Sequence, residues 1–147
     1  MRTFGLPEPP ERVDYETDEG PRTERVLIIE DDPDTARFIK VNLNGNGLPH
    51  VTVAGDGEVG LALTEQEDFE LVLTGFMMPG ILGDEVVRRL RARPRTRHLR
   101  VIMVTSQSGT AYIRRAMLAG ADDYVTKPFD PIELLARIRA VLRRPER

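Results

Sequence analysis

Acidic, hydroxyl and amino side chains follow short apolar runs along this chain, at the point where each run ends. Glu30 and Asp31 follow the first run, Thr105 and Ser106 follow the fourth, and Lys127 ends the fifth. Clustered carboxylates repel one another unless they share a cation, and Mg²⁺ is the hard ion that such oxygen ligands usually hold. A lysine ammonium and a threonine hydroxyl suit the anionic oxygens of a phosphoryl group. These residues are therefore candidates for one site that holds a metal ion and a phosphoryl group.

Each of these pieces also has an ordinary structural explanation. An acidic pair after a strand is most often a helix cap, and Asp32, followed by Pro33, fits that role and leaves Glu30 and Asp31 for the site. A lone threonine after a strand is usually structural, and a Lys-Pro pair is usually a turn. The joint order of the pieces along the chain is what makes the prediction specific.

The apolar runs alternate with segments of helical periodicity. Strands are predicted at residues 26–29, 50–54, 70–74, 101–104 and 124–126, and helices after Asp32, from Asp56, over 84–92, over 110–119 and from Asp130. Five strands alternating with five helices predict a parallel α/β sheet with right-handed crossovers. In such sheets, ligands bind beyond the carboxyl ends of the strands, where the strand order reverses.

Composition divides the 147 residues into an extension and one domain. Residues 1–24 hold seven acids, three arginines and four prolines, and we expect a flexible extension, with a docking segment as the alternative. Residues 25–143 form the predicted domain, and 144–147 a short tail. With 17 acids and 18 bases after residue 24, the domain does not favour nucleic-acid binding. The chain has no cysteine, signal peptide or membrane-spanning run, so we expect a cytoplasmic protein.

Four motifs together resemble the receiver domains of response regulators in two-component (phosphorelay) signalling. They are Ile29-Glu30-Asp31-Asp32-Pro33, Met77-Met78-Pro79-Gly80, Val104-Thr105-Ser106 and Gly120-Ala121-Asp122-Asp123-Tyr124-Val125-Thr126-Lys127-Pro128-Phe129. The resemblance covers residues 25–143, and the last motif is the most specific. It implies the flavodoxin-like fold, a (βα)5 three-layer α/β sandwich with parallel strand order 2-1-3-4-5. It also implies a signalling module rather than an enzyme, with a histidine kinase or another signalling protein as partner.

The metal site implied by this resemblance consists of Glu30, Asp31 and the backbone carbonyl of Met77, together with the aspartate that accepts the phosphoryl group. In the family that aspartate lies three residues before the Met-Pro pair, and here the position is Gly75. Glycine has no side chain and cannot form an aspartyl phosphate. We therefore expect no phosphoacceptor at Gly75, and weaker Mg²⁺ binding than in a receiver that has the aspartate.

The remaining site residues are switch residues by the same resemblance. Thr105, followed by Ser106, would bond a phosphoryl oxygen, and Tyr124 would swing inward when Thr105 moves. Lys127, before a cis bond to Pro128, would pair with the phosphoryl group or the acceptor carboxylate. Because the acceptor is missing and a buried unpaired ammonium is unfavourable, we expect Lys127 to pair with one of the two acids after the first strand.

Helix four, strand five and helix five form the output face of the family. Asp123 and Arg137 match charges that one subgroup, tethered to winged-helix DNA-binding domains, pairs across a homodimer. Glu133 also matches that subgroup, with Arg114 or Arg115 as its partner. The alternative is that these residues form ordinary surface ion pairs, which contribute little.

A basic run lies in and after helix three. It contains Arg88, Arg89, Arg91, Arg93, Arg95, Arg97 and Arg100. Such a run can meet nucleic acid or an acidic partner, but more often it is a solvated face. No aromatic residue is interleaved to stack on bases, so we expect a solvated face.

Three functions remain open at this stage. The favoured one is a pseudo-receiver that acts by protein–protein contact, either held in one conformation or switched by a partner. The second is a phosphorylatable receiver in which Gly75 is an engineered replacement of aspartate. The third is the dimerisation domain of a DNA-binding response regulator, which the length of the native reading frame would decide.

Overall fold

The structure, a computed structural model, describes residues 23–145, which form five strands alternating with five helices. Strands β1 to β5 cover Arg25–Ile29, His50–Ala54, Leu71–Thr74, Arg100–Thr105 and Asp123–Thr126. Helices α1 to α5 cover Pro33–Asn44, Gly57–Gln66, Gly83–Ala92, Thr110–Ala119 and Pro131–Arg143. The extension expected at residues 1–24 lies outside the described residues except for its last two positions, so it stays a prediction, and so does the tail.

All neighbouring strands pair in parallel, in the order β2-β1-β3-β4-β5. The predicted fold class and strand order are therefore confirmed. The order reverses between β1 and β3, where Ile29 is in register with Thr74. This register brings the residues that follow the two strands, Glu30 and Gly75, to the same edge of the sheet.

Alternate side chains of the strands build two apolar layers, one on each face of the sheet. Leu27 and Ile29 of β1 face the layer that helices α2, α3 and α4 cover, whereas Val26 and Ile28 face the layer under α1 and α5. Burying a side chain of this size stabilises the fold by roughly 1.5–3 kcal/mol, which makes the sheet a firm base for the site. Within residues 23–145, no helix combines the length and apolar character that a bilayer crossing requires.

Three helices begin at aspartate caps, as the sequence predicts. The carboxylates of Asp32, Asp56 and Asp130 accept backbone N–H groups of the first turns of α1, α2 and α5. Helix α4 ends at Gly120, whose φ of 115° lies in the left-handed region that favours glycine. The three aspartate caps fix where α1, α2 and α5 leave the carboxyl edge of the sheet, whereas Gly120 ends α4 at the opposite edge.

Two arginines of the basic run turn inward. The guanidinium of Arg91 donates two hydrogen bonds to the carbonyl of Gly120, at 2.8 and 3.0 Å, and others to the carbonyls of Arg97 and Leu99. The side chain of Arg100 is 7% exposed and donates to the carbonyl of Val141 near the end of α5. The prediction of a solvated face is therefore wrong for these two residues, which hold backbone segments together.

Candidate functional site

Gly75 directly follows the central strand β3 and is buried. Its N–H donates to the carbonyl of Ile29 at 3.0 Å, which continues the sheet pairing by one residue. A Cβ placed on Gly75 would lie 3.5 Å from Oε1 of Glu30 and 3.6 Å from the Met78 side chain. These are ordinary van der Waals distances, so packing does not require glycine at this position.

The carboxylate of Glu30 is engaged by two donors. Lys127 Nζ lies 3.0 Å from Glu30 Oε1, and the N–H of Asp32 donates to Oε2, also at 3.0 Å. Glu30 is 6% exposed and Lys127 24% exposed, so the pair lies at the border of the core. The prediction that Lys127 pairs with one of these acids is confirmed, and the acid is Glu30.

The predicted metal ligands differ in their exposure and in their partners. Asp31 and Met77 are both exposed, and the Asp31 carboxylate has no ion-pair partner among the described residues. Within residues 23–145, no group of three or more acidic, histidine or cysteine side chains could hold a metal ion. Of the two predicted carboxylate ligands, Glu30 is already bound to Lys127, which leaves Asp31, and Mg²⁺ usually needs more than one carboxylate.

Thr105 and Tyr124 meet at the backbone of Gln107, in the loop after β4. The N–H of Gln107 donates to Oγ1 of the buried Thr105 at 3.2 Å, and the Tyr124 hydroxyl donates to the carbonyl of Gln107 at 2.5 Å. The Tyr124 ring packs against the apolar layer under α2, α3 and α4, and its burial raises the pKa of its hydroxyl. Ser106 is exposed, and the Lys127–Pro128 bond is cis, as expected. Gln107 was not predicted, since its backbone rather than its side chain takes part.

The charged residues of the output face bond to one another within the chain. Arg137 donates to both carboxylate oxygens of Asp123, at 3.0 and 3.1 Å, and to Glu133 Oε2 at 3.1 and 3.2 Å. The Asp123 carboxylate, and Glu133 after it, raise the pKa of Arg137 above its ordinary value. Arg115, one of the two partners expected for Glu133, instead bonds to Asp84.

Asp84 and Phe76 were also missed. Asp84 lies in the first turn of α3, where an acid is expected to face solvent and complement the helix dipole, yet it is 2% exposed. Phe76 is fully buried directly after Gly75. The buried acid is bonded by Arg88 of its own helix and by Arg115 of α4, and no local pattern in the sequence indicates the contact with α4.

The sheet order, the edge residues and the Lys127–Pro128 turn define a receiver domain, and sequence comparison agrees. The family "Response regulator receiver domain" matches residues 26–139, so the chain belongs to this family. Receiver domains are signalling modules of two-component systems rather than enzymes in the usual sense.

Among curated relatives, the DNA-binding response regulator MtrA of Mycolicibacterium smegmatis is 40% identical over 84% of this chain and 52% of its own length. The phosphate regulon regulator PhoB of Rhizobium meliloti is 37% identical over 82% of this chain and 52% of its own. The chain thus spans about half the length of these relatives. A solved putative response regulator from Chloroflexus aurantiacus is 32% identical, with a TM-score of 0.80 over 84% of this chain and all of that one.

Proposed function

We propose that this chain is a pseudo-receiver, a receiver-type module that forms no aspartyl phosphate at the usual position and acts by contact with a protein partner. The observation that carries this proposal is the buried Gly75 at the end of β3, where the side chain that would accept a phosphoryl group is missing. The partner is a histidine kinase or another cytoplasmic signalling protein. Mg²⁺ would be held weakly, by Asp31 and the Met77 carbonyl, with Glu30, which is already bonded to Lys127, contributing through water.

Two contacts support a module held in one conformation. Lys127 is bound to Glu30, so its ammonium is satisfied without a phosphoryl group. Tyr124 is partly buried, and its hydroxyl donates to the Gln107 carbonyl. The N–H of Gln107 in turn donates to Thr105. In the proposed mechanism, Thr105, Tyr124 and Lys127 keep the site and the output face in register without covalent modification. A partner then recognises the surface as it stands.

Intact-mass spectrometry after incubation with acetyl phosphate and Mg²⁺ tests this proposal. We expect no phosphoryl mass on this chain and a gain of one phosphoryl group on Gly75→Asp, because a Cβ at this position meets its neighbours only at ordinary van der Waals distances. Gly75→Asn is the matched control, with the same size but no carboxylate nucleophile. The reaction transfers the phosphoryl group to the carboxylate oxygen and releases acetate.

A phosphoryl gain on the natural chain would contradict the proposal and would make Thr74, Asp31 and Thr105 the candidate acceptors. If neither protein reacts, the site has diverged at more than one residue and the module is a binding surface alone. A Mg²⁺ titration of the same proteins adds a second measurement, in which Gly75→Asp should bind the ion more tightly because it supplies a further carboxylate. Equal Mg²⁺ affinities of the two proteins would contradict the prediction that Gly75 weakens metal binding.

A second candidate function follows from the relatives, which are DNA-binding regulators that continue well beyond the part matched here, since the match covers 52% of their length. In it, the module is the dimerisation domain of a longer regulator and pairs through α4, β5 and α5, with Asp123, Glu133 and Arg137 exchanging partners between two copies. The domain itself makes no direct nucleic-acid contact. The length of the native reading frame tests the first part, and sedimentation equilibrium tests the dimer.

A further inference from the structure

Asp84 is the most buried acid of the described chain that the site does not use. Its Oδ2 accepts hydrogen bonds from Arg115 Nε at 3.2 Å and Nη2 at 3.0 Å, and from Arg88 Nη2 at 3.2 Å. Its Oδ1 is buried and has no hydrogen-bond partner within residues 23–145. An acid in this state is unfavourable by itself, so its position depends on the arginine of the neighbouring helix.

Arg115 extends this contact to the segment that follows β3. Its guanidinium carbon lies 5.0 Å from the centre of the Phe76 ring, which packs edge-on against Tyr112 at 5.3 Å. The Phe76 carbonyl accepts the N–H of Gly83, next to Asp84, at 2.7 Å. The segment after β3, the start of α3 and the middle of α4 therefore meet around one guanidinium.

We propose that Asp84 and Arg115 are a positioning pair that fixes helix α4 relative to Gly75 and Phe76. This inference rests on the proposed function, because it names the contact that holds the output face when no phosphoryl group does so. A planar guanidinium that bonds a carboxylate and stacks on a ring has one orientation, which a lysine ammonium cannot reproduce. Replacing such a pair by apolar residues often leaves stability unchanged or higher, so the pair supplies geometry more than stability.

Amide hydrogen exchange, followed by NMR on the full chain, tests the proposal. In Arg115→Ala we expect the amides of α4 to exchange about tenfold faster or more, because the helix opens locally. The amide resonances of Gly75 and Phe76 should shift in the same variant. Arg114→Ala is the matched control, since Arg114 is the preceding arginine of the same helix, exposed and without an ion pair in the described chain. It should change neither observable.

Two further variants separate positioning from stability. The double variant Asp84→Leu with Arg115→Leu should keep the urea midpoint of this chain or raise it, yet accelerate exchange in α4. Arg115→Lys should restore only part of the protection, because it keeps the charge and loses the fork and the stacked plane. Exchange in Arg115→Ala that matches Arg114→Ala, or that accelerates evenly over all strands and helices, would overturn the proposal. The exchange measurement uses unphosphorylated protein, so a negative result would overturn the positioning pair without affecting the acetyl phosphate test. A phosphoryl gain in the acetyl phosphate test would likewise overturn the proposed function without changing the exchange result.

Discussion

Replacing Lys127 by methionine removes the ammonium that faces the Glu30 carboxylate and keeps a side chain of similar length. The 3.0 Å separation of Nζ and Oε1 corresponds to a gross attraction of about 5–6 kcal/mol at an effective dielectric constant of about 20. Desolvation of the two groups offsets much of this attraction. The net effect therefore depends on how far each group is withdrawn from water.

The exposed fractions of Glu30 and Lys127 place this ion pair between fully buried pairs and exposed pairs, whose effects on stability differ. Removing one partner of a fully buried pair destabilises proteins by roughly 3–5 kcal/mol, whereas an exposed pair contributes about 0–1 kcal/mol. Glu30 is almost fully buried, but after the substitution its carboxylate still accepts the hydrogen bond from the N–H of Asp32. Lys127 is 24% exposed, so part of its charge already contacts water. We therefore expect Lys127→Met to lower the free energy of unfolding by about 2 kcal/mol.

Urea unfolding followed by circular dichroism measures this change, with Lys40→Met as the matched control. Lys40 is the chain's other lysine and is exposed, without an ion pair in the part of the chain that the structure describes. Its substitution should stay within about 0.5 kcal/mol of the natural chain. In a Glu30→Leu background, Lys127→Met should lose most of its effect. Equal stability of the two lysine variants, or fully additive effects with Glu30→Leu, would refute the reasoning.

Two other changes are predicted. Gly83→Ala would place a Cβ 2.1 Å from the Gly75 carbonyl oxygen and 2.9 Å from the Phe76 Cα, so it should destabilise the fold by about 1–3 kcal/mol in urea, whereas Gly55→Ala, with open space around it, should not. Because burial raises the pKa of Tyr124, its neutral form stabilises the fold below the ordinary pKa, and this stabilisation is lost as pH rises through the raised value. In an absorbance titration, one tyrosine should ionise at a pH above the ordinary tyrosine pKa, and Tyr124→Phe should remove that step. If the substitution instead removes a step at the ordinary pKa, Tyr124 is not the tyrosine with the raised pKa.

The sequence was sufficient for the fold because the strands are short apolar runs and three of the five helices start at aspartate caps. Strand boundaries moved by one residue where a strand end is polar. Strand β4 covers Arg100–Thr105 instead of 101–104, since Arg100 is buried by bonds to distant carbonyls and Thr105 is held in the sheet. Local strand propensity cannot predict either the hydrogen bonds of Arg100 to distant carbonyls or the pairing of Thr105 in the sheet.

The sequence predicted which site residues lie at the same edge of the sheet. It did not predict which of them form hydrogen bonds with one another. The pattern could not choose between Glu30 and Asp31 for Lys127, because that choice depends on how deep each side chain lies. The pairing of Asp84 with Arg115 joins residues 31 positions apart on two helices. Inferring such a contact needs the packing angle of those helices, which the sequence does not state.

The anchoring of Gly120 by Arg91 limits how helix α4 can move. Because the glycine carbonyl is clamped by two N–H groups of an arginine that also grips the loop before β4, the carboxyl end of α4 is a fixed point. Sliding the helix along its axis would break these bonds together, whereas tilting it about Gly120 would break none of them. A tilt about Gly120 would displace Thr110 most, beside the loop that bonds Thr105 and Tyr124, and the contact between Arg115 and Asp84 opposes such a tilt.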